Sequence, residues 1–213
     1  TDDVLFAAGH GCAVQLLAGV AGFALDPAVA DKNHPAFDAI GLTGTPALNR
    51  ALGSRLFESR TRNEQREPAH RSIAEYLGAR FLAKRIEREG MPLGRVLALM
   101  SAGDGGIVAD LRGLHAWLAA HCLSARDGLI EHDPLGIVLY GDIRVFGVAD
   151  KRRLLEALGR EAKRYPWFRA SDWSAPPFGA LAGTDLREDF DNILTAPDRT
   201  EAQEKVVDCG REA

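Results

Sequence analysis

The sequence predicts a three-layer α/β/α domain built on a mainly parallel sheet. Three observations predict it. Short apolar runs alternate with longer amphipathic stretches, as strands do when helices cross over a parallel sheet. Two of those runs end in sharp glycine turns, Gly9-His10-Gly11 and Gly103-Asp104-Gly105-Gly106, each followed by a helix-like stretch. The chain has 213 residues, 46% hydrophobic and 26% charged, which suits one soluble domain with a tail.

Val4 to Ala8 is a short apolar run read as the first strand, and Cys12 to Phe23 is the small-residue helix after its turn. Residues 26–48 are loop-rich. Leu48, Leu52, Leu56 and Phe57 share one face of a helix expected from Ala47 to about Ser59. Thr61 to His70 reads as an exposed excursion. Ser72 to Glu89 is an amphipathic helix with Ile73, Leu77, Phe81 and Ile86 as its stripe, ended by Gly90 and Pro92. Val96 to Met100 is a second strand, covered on both faces. Ile107 to Leu123 is again helical, with Leu111, Leu114, Leu118 and Cys122 in phase. Gly136 to Tyr140 and Ile143 to Phe146 are two more strands; Gly141-Asp142 is a hairpin turn or the exit of a parallel strand. Asp150 is the expected N-cap of a helix running to Tyr165. From these boundaries residues 1–166 form the α/β domain. Residues 167–213 form an irregular aromatic segment, with Trp167, Trp173 and Phe178, and a polar tail that packs or stays free.

The formal net charge is −4, from 26 Lys and Arg against 30 Asp and Glu, so no electrostatic footprint for nucleic acid is present. The longest apolar stretch, Cys12 to Leu25, is shorter than the roughly 20 residues of a membrane span. No basic segment precedes an apolar one as in a signal peptide. The 3 cysteines, Cys12, Cys122 and Cys209, are odd in number and far apart, which argues against a disulfide scaffold and for a reducing, cytoplasmic setting. There is no nucleophile elbow, Walker loop or HExxH.

The two glycine turns carry the chemistry. A turn at the carboxyl end of a strand and the N-terminus of the next helix offers free N–H groups and a helix dipole to an anion. Asp104 adds a carboxylate beside it, the combination that holds Mg²⁺ against a diphosphate. Gly-Asp-Gly is also a common hairpin sequence. His10 is either a ligand contact or a plain turn residue.

Asp2 to Gly11 resembles the opening of the cofactor-diphosphate domain of transketolases, an acidic residue and an apolar strand before Gly-His-Gly. His34-Pro35 falls where that family has Gly-His-Pro, Gly41 to Pro46 resembles its Thr-Gly-Pro-Leu-Gly loop, and Met100 to Gly105 resembles its Met-Gly-Asp-Gly motif. The resemblance runs in patches over residues 2–160. It implies a thiamine-diphosphate-binding domain in which His10 is catalytic, near the diphosphate or substrate. Gly44 and Thr45 would line the cofactor, with Gly103 and Gly105 at its diphosphate. Asp104 would ligate Mg²⁺, and Asp142 is the nearest candidate for the second ligand, where the family has Asn. It further implies a sugar phosphate or 2-oxo acid substrate, an oligomer, and a partner chain supplying the pyrimidine-binding domain. Since the Asn is replaced and the segment after it shortened, the alternative is a non-catalytic partner or regulatory subunit that has lost the cofactor. An unrelated α/β protein with a mere Gly-Asp-Gly turn is a third reading.

Other residues take plainer expectations. Cys12 and Cys122 are small buried hydrophobes, and Cys209 is an exposed thiol. His115 and His121 are core or surface histidines. The arginine-rich run Arg60 to Arg71 is a solvated loop or a phosphate-reading lid. Trp167, Phe168, Trp173 and Phe178 are either a partner-binding patch or packing of the C-terminal extension.

Overall fold

The computed structural model describes residues 2–59, 64–164, 176–181 and 183–197. The expected strand at Val4 to Ala8 and the turn behind it are one continuous helix, α1 (Asp2–Ala18), closed by Gly19 at φ 66°. Ala and Leu are its commonest residues, β-branched residues are few, and an apolar run of that length is as compatible with a buried helix as with a strand. The helix is apolar on more than one side because it is enclosed: Ala8, Gly9 and Ala13, but also Gly11, Cys12 and Leu16, are buried.

The parallel sheet is overturned. The sheet has three short strands, β1 (Phe23–Ala24), β2 (Phe57–Ser59) and β3 (Gln65–Pro68), in the order β1-β3-β2. Both pairings are antiparallel, Phe23 opposite Arg66 and Phe57 opposite Pro68. The remaining elements are α2 (Pro46–Leu52), α3 (Arg71–Glu89), α4 (Leu93–Met100), α5 (Arg112–His121), α6 (Arg126–His132), α7 (Pro134–Tyr140), α8 (Val148–Arg164) and α9 (Arg187–Thr195). The fold is therefore helical with a small antiparallel sheet, not a three-layer α/β/α sandwich.

The two other apolar runs are helices for legible reasons. Pro92 precedes α4, and the helix buries Val96, Leu97 and Met100 on one side while Leu99 stays 58% exposed. A strand covered on both faces would have hidden all of them. α7 starts with Pro134 at its first position, and the Asp133 carboxylate accepts from the Gly136 N–H at 2.8 Å, a strong helix start. Ile143–Val145, expected as strand, is a single 3₁₀ turn. The α3 and α8 stretches are helical as expected. α3 ends at Gly90, φ 69°. α8 starts before Asp150, which lies in its first turn rather than at its cap.

The long helices form a row: α1 packs on α3, α3 on α5 and α5 on α7, while α6 packs on α5 and α8, and α8 on α7. Leu114, Leu118, Leu129, Ile130, Ile137, Leu154 and Leu158 fill the centre, each fully buried. Burying a leucine or isoleucine in this way contributes about 1.5–3 kcal/mol. Arg126, 3% exposed, ties three helices together. It donates to the Ala119 and Ala120 carbonyls of α5, pairs with Asp150 of α8 at 2.6 Å, and lies 4.4 Å over the Phe146 ring. At the far end Phe178, Leu181 and Leu186 are buried beside α7 and α8. So Phe178 packs as core; Trp167, Phe168, Trp173, Cys209 and the part of the polar tail beyond residue 197 fall outside the described residues, as do residues 60–63 of the arginine-rich run.

Candidate functional site

The residues singled out by the glycine turns lie in settings other than strand ends. Gly9 and Gly11 are mid-helix, and their small size serves packing. A Cβ on Gly9 would stand 2.6 Å from the Leu77 carbonyl oxygen, and one on Gly78 would stand 3.1 Å from the Ala13 nitrogen. α1 and α3 thus touch backbone to backbone. His10, between the two glycines, is not in a turn. Its ring stacks on Phe81 at 4.7 Å with 14° between planes. Burial, and then the Arg85 charge, hold its pKa below the usual histidine value.

Gly103, Asp104 and Gly105 form a tight hairpin between Ser101 and Ile107, which make a single antiparallel bridge. The Asp104 carboxylate accepts from the Gly106 N–H at 3.0 Å, and Gly105 takes φ 84°, a conformation that glycine alone adopts readily. The apolar run before this turn is α4, not a strand, and α5 begins only at Arg112. Thr45 is a helix cap: its hydroxyl accepts from the Leu48 N–H at 3.1 Å, with Pro46 next. Gly44 borders a groove of about 360 Å³ with Leu25, Phe37 and Leu42. Both Asp142 oxygens are engaged by Arg144, at 2.7 and 3.0 Å, so a cation would have to displace a guanidinium. That pairing lowers the Asp142 pKa. Among the described residues no group of three or more His, Cys, Asp and Glu side chains is placed to hold a metal ion. His34 bridges Asp31 at 3.2 Å and Glu67 of β3 at 2.8 Å, tying the loop after β1 to the sheet.

Cys12, Cys122 and His115 lie in the core. Cys12 is buried and its thiol is pushed up to about 12 by burial; burial raises Cys122 as well. His115 is fully buried with neither ring nitrogen hydrogen-bonded, and burial lowers its pKa to about 4.

The structure does assemble one set of surface groups that the glycine motifs do not touch. Tyr76, Arg80 and Lys84 follow one another at helical i, i+4 spacing along α3, on the side left open between α1 and α5. α1 adds Phe6, whose ring lies 5.5 Å from the Lys84 ammonium and 5.0 Å from Phe81. α5 adds Trp117 and His121, again i, i+4. Their rings stand 5.2 Å and 4.7 Å from Tyr76, edge-on. Leu5, Phe6 and Leu77 line a shallow dent together with Arg80 and Lys84. The charges are uneven along α3. Arg71 pairs with Glu75 at 2.9 Å and Arg85 with Glu89 at 2.5 Å. Arg80 and Lys84 have no carboxylate partner among the described residues. Burial and the Arg80 charge together lower the His121 pKa, so this histidine adds a neutral ring to the patch. The spacing was present in the sequence, as Phe6 with His10, Tyr76 with Arg80 and Lys84, and Trp117 with His121. With residues 4–8 taken as a strand, the first pair had no face to share with the others.

Compared with known proteins, the chain matches no family model, no curated protein and no solved structure.

Proposed function

We propose that this chain is a non-catalytic helical interaction module that holds a partner protein on the α1–α3–α5 face. One observation carries the reading: Arg80 and Lys84 stand unneutralised between aromatic rings from three helices, on the outward stripe of a close-packed layer. Tyrosine, tryptophan and arginine on a rigid support are the residues that concentrate binding energy at protein interfaces. Rings lose little conformational entropy on contact, and long cations lie against them with part of their stem already covered.

The residues on which a thiamine diphosphate site would depend have local structural work here. Gly9 admits α3, Thr45 caps α2, Asp104 closes a hairpin and Asp142 holds Arg144. The partner chain expected from the sequence remains part of the proposal, but as something docked rather than as the second half of an active site. Among the described residues no helix is long and apolar enough to cross a membrane.

The test is site-specific photocrosslinking in the cell that makes the protein. A benzophenone amino acid at Tyr76, which is 38% exposed, is expected to yield a discrete adduct with another polypeptide. The same probe at Leu99 on α4, away from the face, serves as the control. No adduct at Tyr76, or equal adducts at both positions, would reject the reading.

A further inference from the structure

We infer that the occupant of the α1–α3–α5 face is a short acidic segment of a partner protein, carrying carboxylates one helical turn or two strand residues apart with apolar residues between them. The inference rests on the reading of the chain as an interaction module.

Charge complementarity argues for it first. Arg80 and Lys84 lie i, i+4 on α3, about 6 Å apart along the helix. Carboxylates at i, i+4 of a helix, or at i, i+2 of an extended strand at about 3.3 Å per residue, fall at the same interval. Arg71 and Arg85 of the same helix are already spent within the chain, on Glu75 and Glu89, which leaves Arg80, Lys84 and, one turn further on, Arg88 without a carboxylate partner among the described residues.

The apolar surroundings set the second requirement. The dent between Leu5, Phe6 and Leu77 opens beside both cations. Tyr76, with Trp117 and His121 at 5.2 and 4.7 Å, walls the other side. An apolar side chain laid over the Phe6 and Tyr76 rings would exclude water from the ion pairs beside it and strengthen them. Lys84, already over the Phe6 ring at 5.5 Å, keeps its position in the complex.

The whole-chain charge bears on the class of anion. A net charge of −4 on 213 residues disfavours a long polyanion, whereas a short acidic peptide needs only the stripe. Three cations also give too few phosphate contacts for tight nucleic acid binding.

The experiment uses the full chain and three fluorescein-labelled probes, read by anisotropy: a peptide of alternating Glu and Leu, the same peptide with Lys for Glu, and oligo(dT). The Glu-Leu peptide is expected to bind saturably, more weakly as NaCl rises, and to be preferred over both other probes. The double substitution Arg80→Glu with Lys84→Glu is expected to weaken it about tenfold or more at unchanged helical circular dichroism. Arg80→Gln with Lys84→Gln, which keeps size and removes charge, is expected to fall between. Equal binding of the Glu and Lys peptides, tighter binding of oligo(dT), or full affinity in both double variants would overturn the inference. A Tyr76 photoadduct without Glu-Leu binding would overturn the acidic partner and leave the interaction module standing. Failure of both would remove both.

Discussion

A methyl group on Gly9 would collide with the Leu77 carbonyl at 2.6 Å, and that oxygen belongs to the α3 backbone, which cannot swing aside as a side chain would. Gly9→Ala is therefore expected to destabilise the protein by about 1–3 kcal/mol, read as a shifted urea midpoint. Gly53→Ala, where the nearest atom is 3.5 Å away, is the control expected to cost less. His115 makes a prediction of the opposite kind. Its ring is buried beside Arg112, Asp133 and His132, and burial outweighs the Asp133 attraction, so the folded pKa falls to about 4 from 6.5. The folded state then binds fewer protons than the unfolded state between those values. Stability is full above pH 6.5 and declines as pH falls toward 4, by about 3 kcal/mol in all. His115→Leu keeps an apolar side chain in the site and removes the titration. Its stability difference from wild type, measured by urea unfolding at pH 7 and pH 4.5, should grow in the mutant's favour at the lower pH. An unchanged difference would mean that His115 takes up its proton as readily in the folded state as in the unfolded one.

At the scale of elements, α7 stands or falls with Asp133. Its carboxylate caps the first turn at Gly136 and grips Arg112 of α5 with both oxygens, at 2.8 and 3.0 Å. Asp133→Ala removes a cap and the two-pronged carboxylate partner of a half-buried guanidinium, an expected loss of about 2–3 kcal/mol in thermal or urea unfolding. Asp133→Asn, which still caps, should recover about half. The same element shows what was readable in advance. Asp133-Pro134 followed by apolar residues has the form of a helix start, while the five-residue apolar run Gly136 to Tyr140 taken alone has the length of a strand. α3 and α8 were legible because their polar and apolar residues alternate over several turns. α1 and α7 are apolar on more than one side, and periodicity carries no signal where a helix is enclosed; α4 is open on one side, but its exposed face carries Ala98 and Leu99, so its five-residue run shows no polar break. The site followed suit. Asp104 was picked out because turn-forming residues are the same residue types that cradle phosphates, and Thr45 through the resemblance of its loop to the transketolase one. The ring-and-cation stripe needs three helices side by side, an arrangement that no single stretch of sequence encodes.

For the whole molecule, the C-terminal segment is a lid on the row rather than an appendage. Phe178, Leu181 and Leu186 are buried at the α7 and α8 end, and Lys151 and Arg152 of α8 reach Asp185 and Asp189 at 2.9 and 3.0 Å. Ending the chain after Arg164 would uncover that end. The truncated protein is expected to melt at a lower temperature and to bind a hydrophobic dye, whereas Glu-Leu peptide binding, at the opposite side of α5, should survive below the melting point. The row itself has a further consequence. Each long helix rests mainly on its immediate neighbours: α5 lies between α3 and α7, and α1 between α2 and α3. Amide protons should therefore exchange slowly in both, and faster in α9, which has no fully buried residue. A segment laid across Phe6, Arg80 and Trp117 would act as a splint, joining α1 to α5 over α3. Slower exchange in both helices upon occupancy would be its signature.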